Sequence, residues 1–349
     1  GVRCARFFSC LAGTKCMESC IFARLLKEYV RMKPMIKYRG GKSREIPYLL
    51  KYVPKFTGRY VEPFFGGGAL FFYLEPRTAI INDINPRLMG FYLGVRDDYA
   101  RLRQELDEVE AIYTHNRRDF ETLKTQYPDE RVEDRNEALY YALRDMFNDL
   151  APKQYSDALL YYFINKTAYS GMIRYNAEGA FNVPYGRYAR LNTSAVTEAH
   201  CRLLHRADIQ NVDYADIFAQ CHPDDFVFLD PPYDCAFSDY GNEAYRNGFN
   251  EQAHRRLARA FASLPCKALM VIGRTPLTEE LYGGRVVDEY EKAYAVNIRN
   301  RFKAAATHIV VANYDVKAET AFTLVGLRRP DARTRQLLLF EPRQAYGKD

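Results

Sequence analysis

Val61-Glu62-Pro63-Phe64-Phe65-Gly66-Gly67-Gly68 closes a β-branched and aromatic run that starts at Arg59, and leads into a helix expected from about Gly68 to Tyr73. A second strand is expected at Thr78 to Asn82. Strand, glycine turn, helix and strand in that order open a mostly parallel sheet covered by helices. The rhythm returns much later, with a helix near 193–206, a strand at Asp208 to Val212, the apolar strand Phe226 to Leu229, a helix over 250–263 and a strand at Lys267 to Ile272. Tyr294 to Arg299 with His308 to Asn313 reads as a closing antiparallel pair. The expected fold class is therefore α/β, a Rossmann-like sheet with helices on both faces.

What separates the two halves is helical. Residues 86–165 place charged and apolar side chains at spacings of three and four, including Asn136 to Phe147 and Tyr155 to Phe163, with no convincing strand. Residues 166–188 break that pattern. Tyr169 to Tyr175, the turn Asn176-Ala177-Glu178-Gly179, and Ala180 to Val183 read as a β-hairpin with a glycine-containing turn.

At 349 residues the chain holds one large α/β core with an insertion, or two domains. Its net charge of +6 is concentrated in residues 1–34, which carry seven Lys/Arg against two Glu and leave 43 basic and 42 acidic groups in the rest. Bulk charge thus says little about nucleic acid, and a DNA-binding face has to come from local clustering. The 28 Tyr and 22 Phe supply flat faces on which a base could stack, although ordinary core and surface roles account for most of them. Cys4, Cys10, Cys16 and Cys20 crowd the first twenty residues and Cys201, Cys221, Cys235 and Cys266 are scattered, with no pair at zinc-site spacing, so no metal is expected. No apolar stretch is long enough for a membrane span, which predicts a cytoplasmic protein. Residues 1–34 read as a leader or upstream extension outside the fold, with a functional start at Met32 or Met35.

Four constellations carry chemistry. The glycine turn lets backbone approach a ligand closely, and its spacing misses the Gly-x-Gly-x-x-Gly dinucleotide fingerprint; a plain tight turn would also explain it. Asp83, in Asn82-Asp83-Ile84-Asn85, stands where a carboxylate can accept from both ribose hydroxyls of an adenosine ligand, or it caps the helix starting near Pro86. Lys37-Tyr38-Arg39-Gly40-Gly41-Lys42-Ser43 lacks the initial glycine of a phosphate loop; Lys42 instead suits the carboxylate end of an amino-acid ligand. The most specific is Asp230-Pro231-Pro232-Tyr233 at the end of Phe226 to Leu229. An exocyclic amino group is a poor nucleophile because its lone pair is delocalised. The Asp230 carboxylate and the Pro231 carbonyl can accept its two hydrogens and localise that pair on nitrogen, Pro232 helps to fix the backbone, and Tyr233 can stack on the base. A rigid strand-ending turn with a surface tyrosine is the plainer account of that motif alone. Together, and in this order, the four point to methyl transfer from S-adenosylmethionine to an amino nitrogen.

With these residues in place, the chain from about Ile36 to Tyr314 resembles the DNA adenine methylases of the Dam type, the alpha-group adenine-N6 methyltransferases. The likeness rests on the four motifs, on Asn165-Lys166-Thr167 and on Gly179 to Gly186. It implies a site-specific enzyme that flips adenine out of double-stranded DNA and methylates N6 with S-adenosyl-L-methionine. It implies a catalytic domain of residues 35–95 and 195–328, a target recognition domain of 96–194 and a peripheral tail of 329–349. It also implies a monomer or weak dimer encoded by a bacterium, archaeon or phage, with restriction-modification among its settings.

The candidate catalytic residues are Asp230, Pro231, Pro232 and Tyr233. The candidate cofactor residues are Tyr38, Lys42, Glu62, Pro63, Phe64, Gly66, Gly68, Asp83, Asp213 and Asp230, with Asp213 resembling the acidic residue near the cofactor adenine. Candidate DNA contacts are Tyr169, Ser170, Met172, Arg174, Asn182 and Pro184, with Arg174 matching an arginine that reads guanine. Ser170 stands where members that read GATC usually have Asn, and Gly273-Arg274-Thr275 replaces an Asn- or Ser-rich turn; GATC is the expected target. Two alternatives stay open: cytosine-N4 methylation, which more often accompanies Ser as the first motif residue, and a DNA-binding protein of the same fold without catalysis.

Overall fold

A computed structural model describes residues 31–38, 40–171, 173–176, 178–233, 249–293 and 305–319. Among the described residues the first helix, α1 (Ile46–Leu49), continues as a 3-10 turn, Leu50–Tyr52. Then come β1 (Tyr60–Glu62), α2 (Ala69–Leu74), β2 (Ala79–Asn82), and the helical block α3 (Pro86–Asp97), α4 (Tyr99–Gln126), α5 (Arg135–Phe147) and α6 (Asp157–Thr167). The second half holds α7 (Glu198–Leu204), β3 (Ala207–Gln210), α8 (Tyr214–Phe218), β4 (Phe226–Leu229), α9 (Glu251–Ala262), β5 (Lys267–Gly273), α10 (Pro276–Tyr282), β6 (Val286–Ala293), β7 (Ala305–Ala312) and α11 (Val316–Glu319).

The strands form one seven-stranded sheet in the order β3-β2-β1-β4-β5-β7-β6. β3, β2, β1, β4 and β5 run parallel, while β7 pairs antiparallel with both β5 and β6. Side chains alternate between two apolar layers: Tyr60, Ala79, Ile81, Phe226, Phe228, Leu269 and Val271 lie in one, and Val61, Ile80, Val227, Leu229, Ala268, Met270 and Ile272 in the other. A strand with both faces buried must be apolar throughout, which is why β4 is the uninterrupted run Phe-Val-Phe-Leu. Helices α8, α9 and α10 cover the second layer, and α2 to α7 the first. This is the Rossmann-like sheet that the sequence predicted.

The helical block shares its core with the sheet. Leu102, Leu106, Val109, Tyr113 and Tyr140 belong to the same apolar cluster as Phe71, Phe91 and Phe228, so no separate core divides the block from the rest. Tyrosine hydroxyls fasten the following arm to this block: Tyr140 donates to the Val183 carbonyl (2.7 Å), and the Tyr113 and Tyr185 hydroxyls meet at 2.6 Å.

Several boundaries move. Residues 166–188 do form two antiparallel arms, joined by Tyr169 N–H to the Pro184 carbonyl (2.9 Å) and Asn182 N–H to the Arg174 carbonyl (3.2 Å). Among the described residues, however, isolated bridges form in place of the ladder of the expected hairpin, Ala168 with Tyr185 and Tyr175 with Phe181. One reason is that a 3-10 turn at Tyr169–Gly171, with Ser170 at φ of +58°, interrupts the first arm; the Asn148 side chain meets the N–H and the carbonyl of Phe181 (2.8 and 3.0 Å) on the edge facing away from that arm. In the closing pair, β6 begins at Val286; the predicted strand 294–299 lies outside the described residues. Residues 31–34, expected to lie outside the fold, make contacts with it: the Lys33 carbonyl lies 2.8 Å from His200 Nε2, and Arg31 sits over the Tyr73 ring. Among the described residues no helix is long and apolar enough to cross a membrane, and no group of three or more His, Cys, Asp or Glu could hold a metal ion.

Candidate active site

Strand order reverses direction between β1 and β4, and in such sheets the crevice beyond the carboxyl ends of the strands at that point is where ligands bind. The glycine turn leaves β1 there and Asp230 leaves β4 beside it. Asp83 follows β2. The sheet thereby brings three motifs, up to 168 residues apart in sequence, to one edge.

The turn's geometry explains its glycines at two positions. Gly66 and Gly68 have φ of +47° and +63°. A Cβ at Gly68 would lie 2.4 Å from Phe65 Cζ, and one at Gly66 would lie 2.7 Å from Cε1 of Tyr38. The close neighbour of the turn is therefore the Tyr38 ring. The Tyr92 hydroxyl, donating to the Gly66 carbonyl at 2.9 Å, holds the turn from below.

Asp83 is fixed by backbone amides: Oδ2 accepts from Gly66 N–H (2.9 Å) and Oδ1 from Asn85 N–H (3.0 Å). It is not the cap of α3. Asn85 has that role, accepting from the N–H groups of Arg87 and Leu88. A carboxylate offers about four acceptor positions, so each Asp83 oxygen retains one for a ligand hydroxyl. Burial pushes its carboxyl up to about 6, against the pull of the two amides. Glu62, buried at the end of β1 and accepting from the Tyr60 hydroxyl (2.7 Å), is held well above the usual carboxylate range by burial and, beyond that, by the negative charges of Asp230 and Asp83.

One ammonium faces this acidic crevice from inside. Lys42 Nζ lies 2.6 Å from both oxygens of Asp230 and 3.0 Å from the Gly40 carbonyl, with Lys42 only 3% exposed and Asp230 22%. Its three donors are matched by these three oxygens. The Tyr233 hydroxyl adds a contact to Asp230 Oδ1 at 3.2 Å. Asp230 is thus oriented from two sides while Oδ2 keeps room to accept. Pro231 is buried and Pro232 follows it half-buried.

The remaining crevice residues line the other flank. Pro63 is buried, and its carbonyl accepts from Asn82 Nδ2 (3.0 Å). Asn82 also bonds both the N–H and the carbonyl of Val212 (2.9 and 3.1 Å), tying the ends of β1, β2 and β3 together. Phe64 packs on Tyr214 with ring centroids 5.3 Å apart. Asp213, next to Tyr214, caps α8 through Ala215 N–H and binds Arg256 with both oxygens.

The predicted DNA contacts fall elsewhere but together. Phe181, Val183 and Tyr185 are buried while the intervening Asn182 and Pro184 are exposed, so the arm presents one outward face. Arg174 joins that face through Nε to Asn182 Oδ1 (2.9 Å), and Tyr169, 44% exposed, joins it through its bond to Pro184. Ser170 sits at the arm's turn with φ of +58°. Met172 lies outside the described residues. The arm is linked to the crevice by Asn165, whose side chain accepts from Lys37 N–H (2.9 Å) and donates to the Lys37 carbonyl (2.7 Å), one residue before Tyr38. Sequence reasoning quoted Asn82 and Asn165 only as parts of motifs and gave neither a role. The signal available was that a buried Asn must have its amide matched on both sides.

These residues fit an adenosyl amino-acid ligand with a cationic sulfonium: a carboxylate with acceptors to spare after β2, a glycine turn at the switch point, and three carboxylates around one crevice. The comparisons agree. The family profile described as D12 class N6 adenine-specific DNA methyltransferase matches residues 38–298. The chain is 34% identical over 291 residues to the type II methyltransferase M.CviBI of Paramecium bursaria Chlorella virus NC1A, covering 81% of this chain and 100% of that protein. It is 30% identical over 302 residues to the type II methyltransferase M1.LlaDCHI of Lactococcus lactis subsp. cremoris, covering 83% and 98%. To the DNA adenine methylase of Salmonella typhi it is 30% identical over 281 residues, covering 76% and 88%.

Proposed function

The chain belongs to the D12 class of N6 adenine-specific DNA methyltransferases, and from that premise we propose how its own residues divide the work. The observation that carries the reading is Asp230 at the tip of β4, gripped by Lys42 and Tyr233 beside the acidic crevice.

When bound, S-adenosylmethionine supplies an electrophilic methyl group on a sulfonium. Asp83 accepts from its ribose hydroxyls, the turn at Gly66 and Gly68 with Tyr38 forms the floor, and Pro63, Phe64 and Asp213 form the adenosine flank. Glu62, pushed toward its neutral form by burial, lines the crevice beside them. Lys42 acts through Asp230, holding the carboxylate aimed.

The target adenine leaves the helix, since its amino group is otherwise buried in the stack. Asp230 Oδ2 and the Pro231 carbonyl accept its two N–H hydrogens, Tyr233 stacks on the ring, and the proline pair keeps the carbonyl turned inward. As the amino nitrogen bonds the methyl carbon, the carbon–sulfur bond would break to leave a neutral thioether, and the nitrogen would give up one proton toward Asp230. Residues 96–194 read the duplex. Arg174 donates to a guanine edge, with Asn182, Tyr169, Ser170, Met172 and Pro184 around it. The working unit is a monomer or weak dimer in the compartment that holds the DNA.

Unmethylated plasmid and labelled S-adenosylmethionine test this directly. Transfer by the parent chain should fall on the order of 10²–10⁴-fold in Asp230→Ala, whereas binding with no transfer by the parent sinks the reading. GATC is the first context to check, by single-molecule sequencing of DNA from expressing cells.

A further inference from the structure

Behind Tyr233 lies a buried polar cluster that the reaction does not call upon. His308, fully buried on β7, pairs in register with Gly273 at the end of β5. The Tyr233 ring covers both: its centroid is 5.1 Å from that of His308 at an interplanar angle of 81°, and a Cβ built on Gly273 would be 3.6 Å from Tyr233 Cδ2. His308 Nδ1 lies 3.3 Å from the Tyr290 hydroxyl and 3.5 Å from Glu45 Oε2, and Tyr290 donates to that same Glu45 oxygen.

Glu45 belongs to the turn that carries Lys42; its N–H donates to the Lys42 carbonyl at 2.8 Å. A single turn therefore reaches Tyr233 from two directions. Lys42 places its ammonium 5.2 Å from the ring centroid and holds Asp230, while Glu45, through Tyr290 and His308, sets the ring's other neighbour. Leaving a histidine, a glutamate and a tyrosine hydroxyl in a dry site is costly unless they satisfy one another, and a network that does so holds its members in one arrangement. An apolar filler would pack the same space without fixing an angle.

We propose that His308 is a positioning residue for methyl transfer, locking the Tyr233 ring through the Glu45–Tyr290–His308 network. The inference rests on Tyr233 and Asp230 holding the reacting base. It assigns His308 no contact with substrate and no part in proton transfer. Orientation of a stacked base is a steep function of ring angle, so loosening the ring slows the transfer step without loosening the cofactor.

The experiment measures single-turnover methyl transfer, normalised to sites titrated with S-adenosylmethionine, beside the cofactor's dissociation constant, in full-length His308→Leu and Tyr290→Phe. His308→Leu should transfer about 10- to 100-fold more slowly, with cofactor affinity within about twofold because Asp83 and the glycine turn are untouched. Tyr290→Phe, which keeps the ring and removes the hydroxyl between Glu45 and His308, should shift in the same direction by a smaller factor. An unchanged normalised rate in His308→Leu overturns the proposal, as does a parallel loss of affinity and rate, the mark of a mere core filler. Should His308→Leu not fold, Tyr290→Phe decides alone, and an unaltered rate there rejects the network. Asp230→Ala separates the two layers: if it transfers methyl at the parent rate, the reading of the site fails, and if it loses transfer while His308→Leu keeps the parent rate, only this inference does.

Discussion

The crevice and the reading arm solve opposite problems. Around Asp83 the crevice is buried and held by backbone: amides of Gly66 and Asn85 grip the carboxylate, and a Cβ at Gly66 or Gly68 would strike Tyr38 or Phe65. The arm is exposed and irregular, pinned by side chains reaching out of the helical block, Asn148 to Phe181 and Tyr140 to Val183. Backbone-built geometry tolerates little substitution. A surface pinned from below keeps its shape while its outward residues change, which suits the DNA-discriminating role proposed for the arm.

Gly68→Ala is the strongest attempt to break the crevice side of this contrast. Its Cβ would strike Phe65, which is 2% exposed and packed among Phe71, Phe72 and Tyr92, so the ring has nowhere to turn. Overpacking costs about 1–3 kcal/mol and the left-handed backbone about 1–2 kcal/mol more. Urea unfolding should show the sum, with cofactor binding lost; a variant as stable as the parent would contradict the geometry of the turn.

On the arm, Arg174→Ala should leave folding and cofactor affinity unchanged. Discrimination between the cognate site and one altered at the contacted guanine should fall by about 1–3 kcal/mol. Competition methylation assays on paired oligonucleotides report this. A uniform loss on all sequences would instead make Arg174 a phosphate contact.

The same division governs what could be read from sequence. Gly66, Gly68, Asp83 and Asp230 sit in contiguous motifs at strand ends, where local chemistry and fold coincide, and the parallel sheet followed from its apolar runs. The Glu45–Tyr290–His308 network joins residues 245 and 18 apart and has no local signature. The arm's missing ladder also escaped prediction, because alternation in 180–185 announces a strand but cannot reveal that the facing arm turns at Tyr169–Gly171. α10 was not among the predicted helices, and Pro276 opens it. At the first helical position proline is favoured, and Thr275 caps the helix through Thr278 N–H.

A smaller effect sharpens the crevice side through pH. Burial raises the Asp83 carboxyl to about 6, so its ionised form is disfavoured in the fold, and this group's contribution to stability improves as pH falls from about 6 toward the ordinary carboxylate value. Binding runs the other way, because a cationic ligand with ribose hydroxyls needs the carboxylate. Affinity for S-adenosylmethionine should therefore weaken by up to about tenfold per unit as pH drops below 6. Equilibrium dialysis between pH 8 and 5 tests this, and Asp83→Asn should bind more weakly at pH 8 with the dependence flattened. A parent affinity that is flat across that range would exclude Asp83 as the ionised ligand contact.

The smallest expected change lies at the arm's turn. Ser170 has φ of +58° and ψ of +13°, in the left-handed region where serine is strained and asparagine is tolerated better. Ser170→Asn should therefore stabilise the fold by a few tenths of a kcal/mol to about 1 kcal/mol, visible as a small rise in melting temperature. It should leave cofactor affinity alone, since Ser170 is exposed. Asparagine is also what the GATC-reading members usually carry there, so one substitution changes strain and reading face together. Ser170→Gly separates them, relieving the strain while offering no new amide to DNA. If both variants gain stability and only Ser170→Asn shifts the methylated sequence, the arm's backbone and its outward chemistry are independent, as a surface pinned from below requires; if Ser170→Gly shifts it equally, the turn's conformation is itself part of the reading.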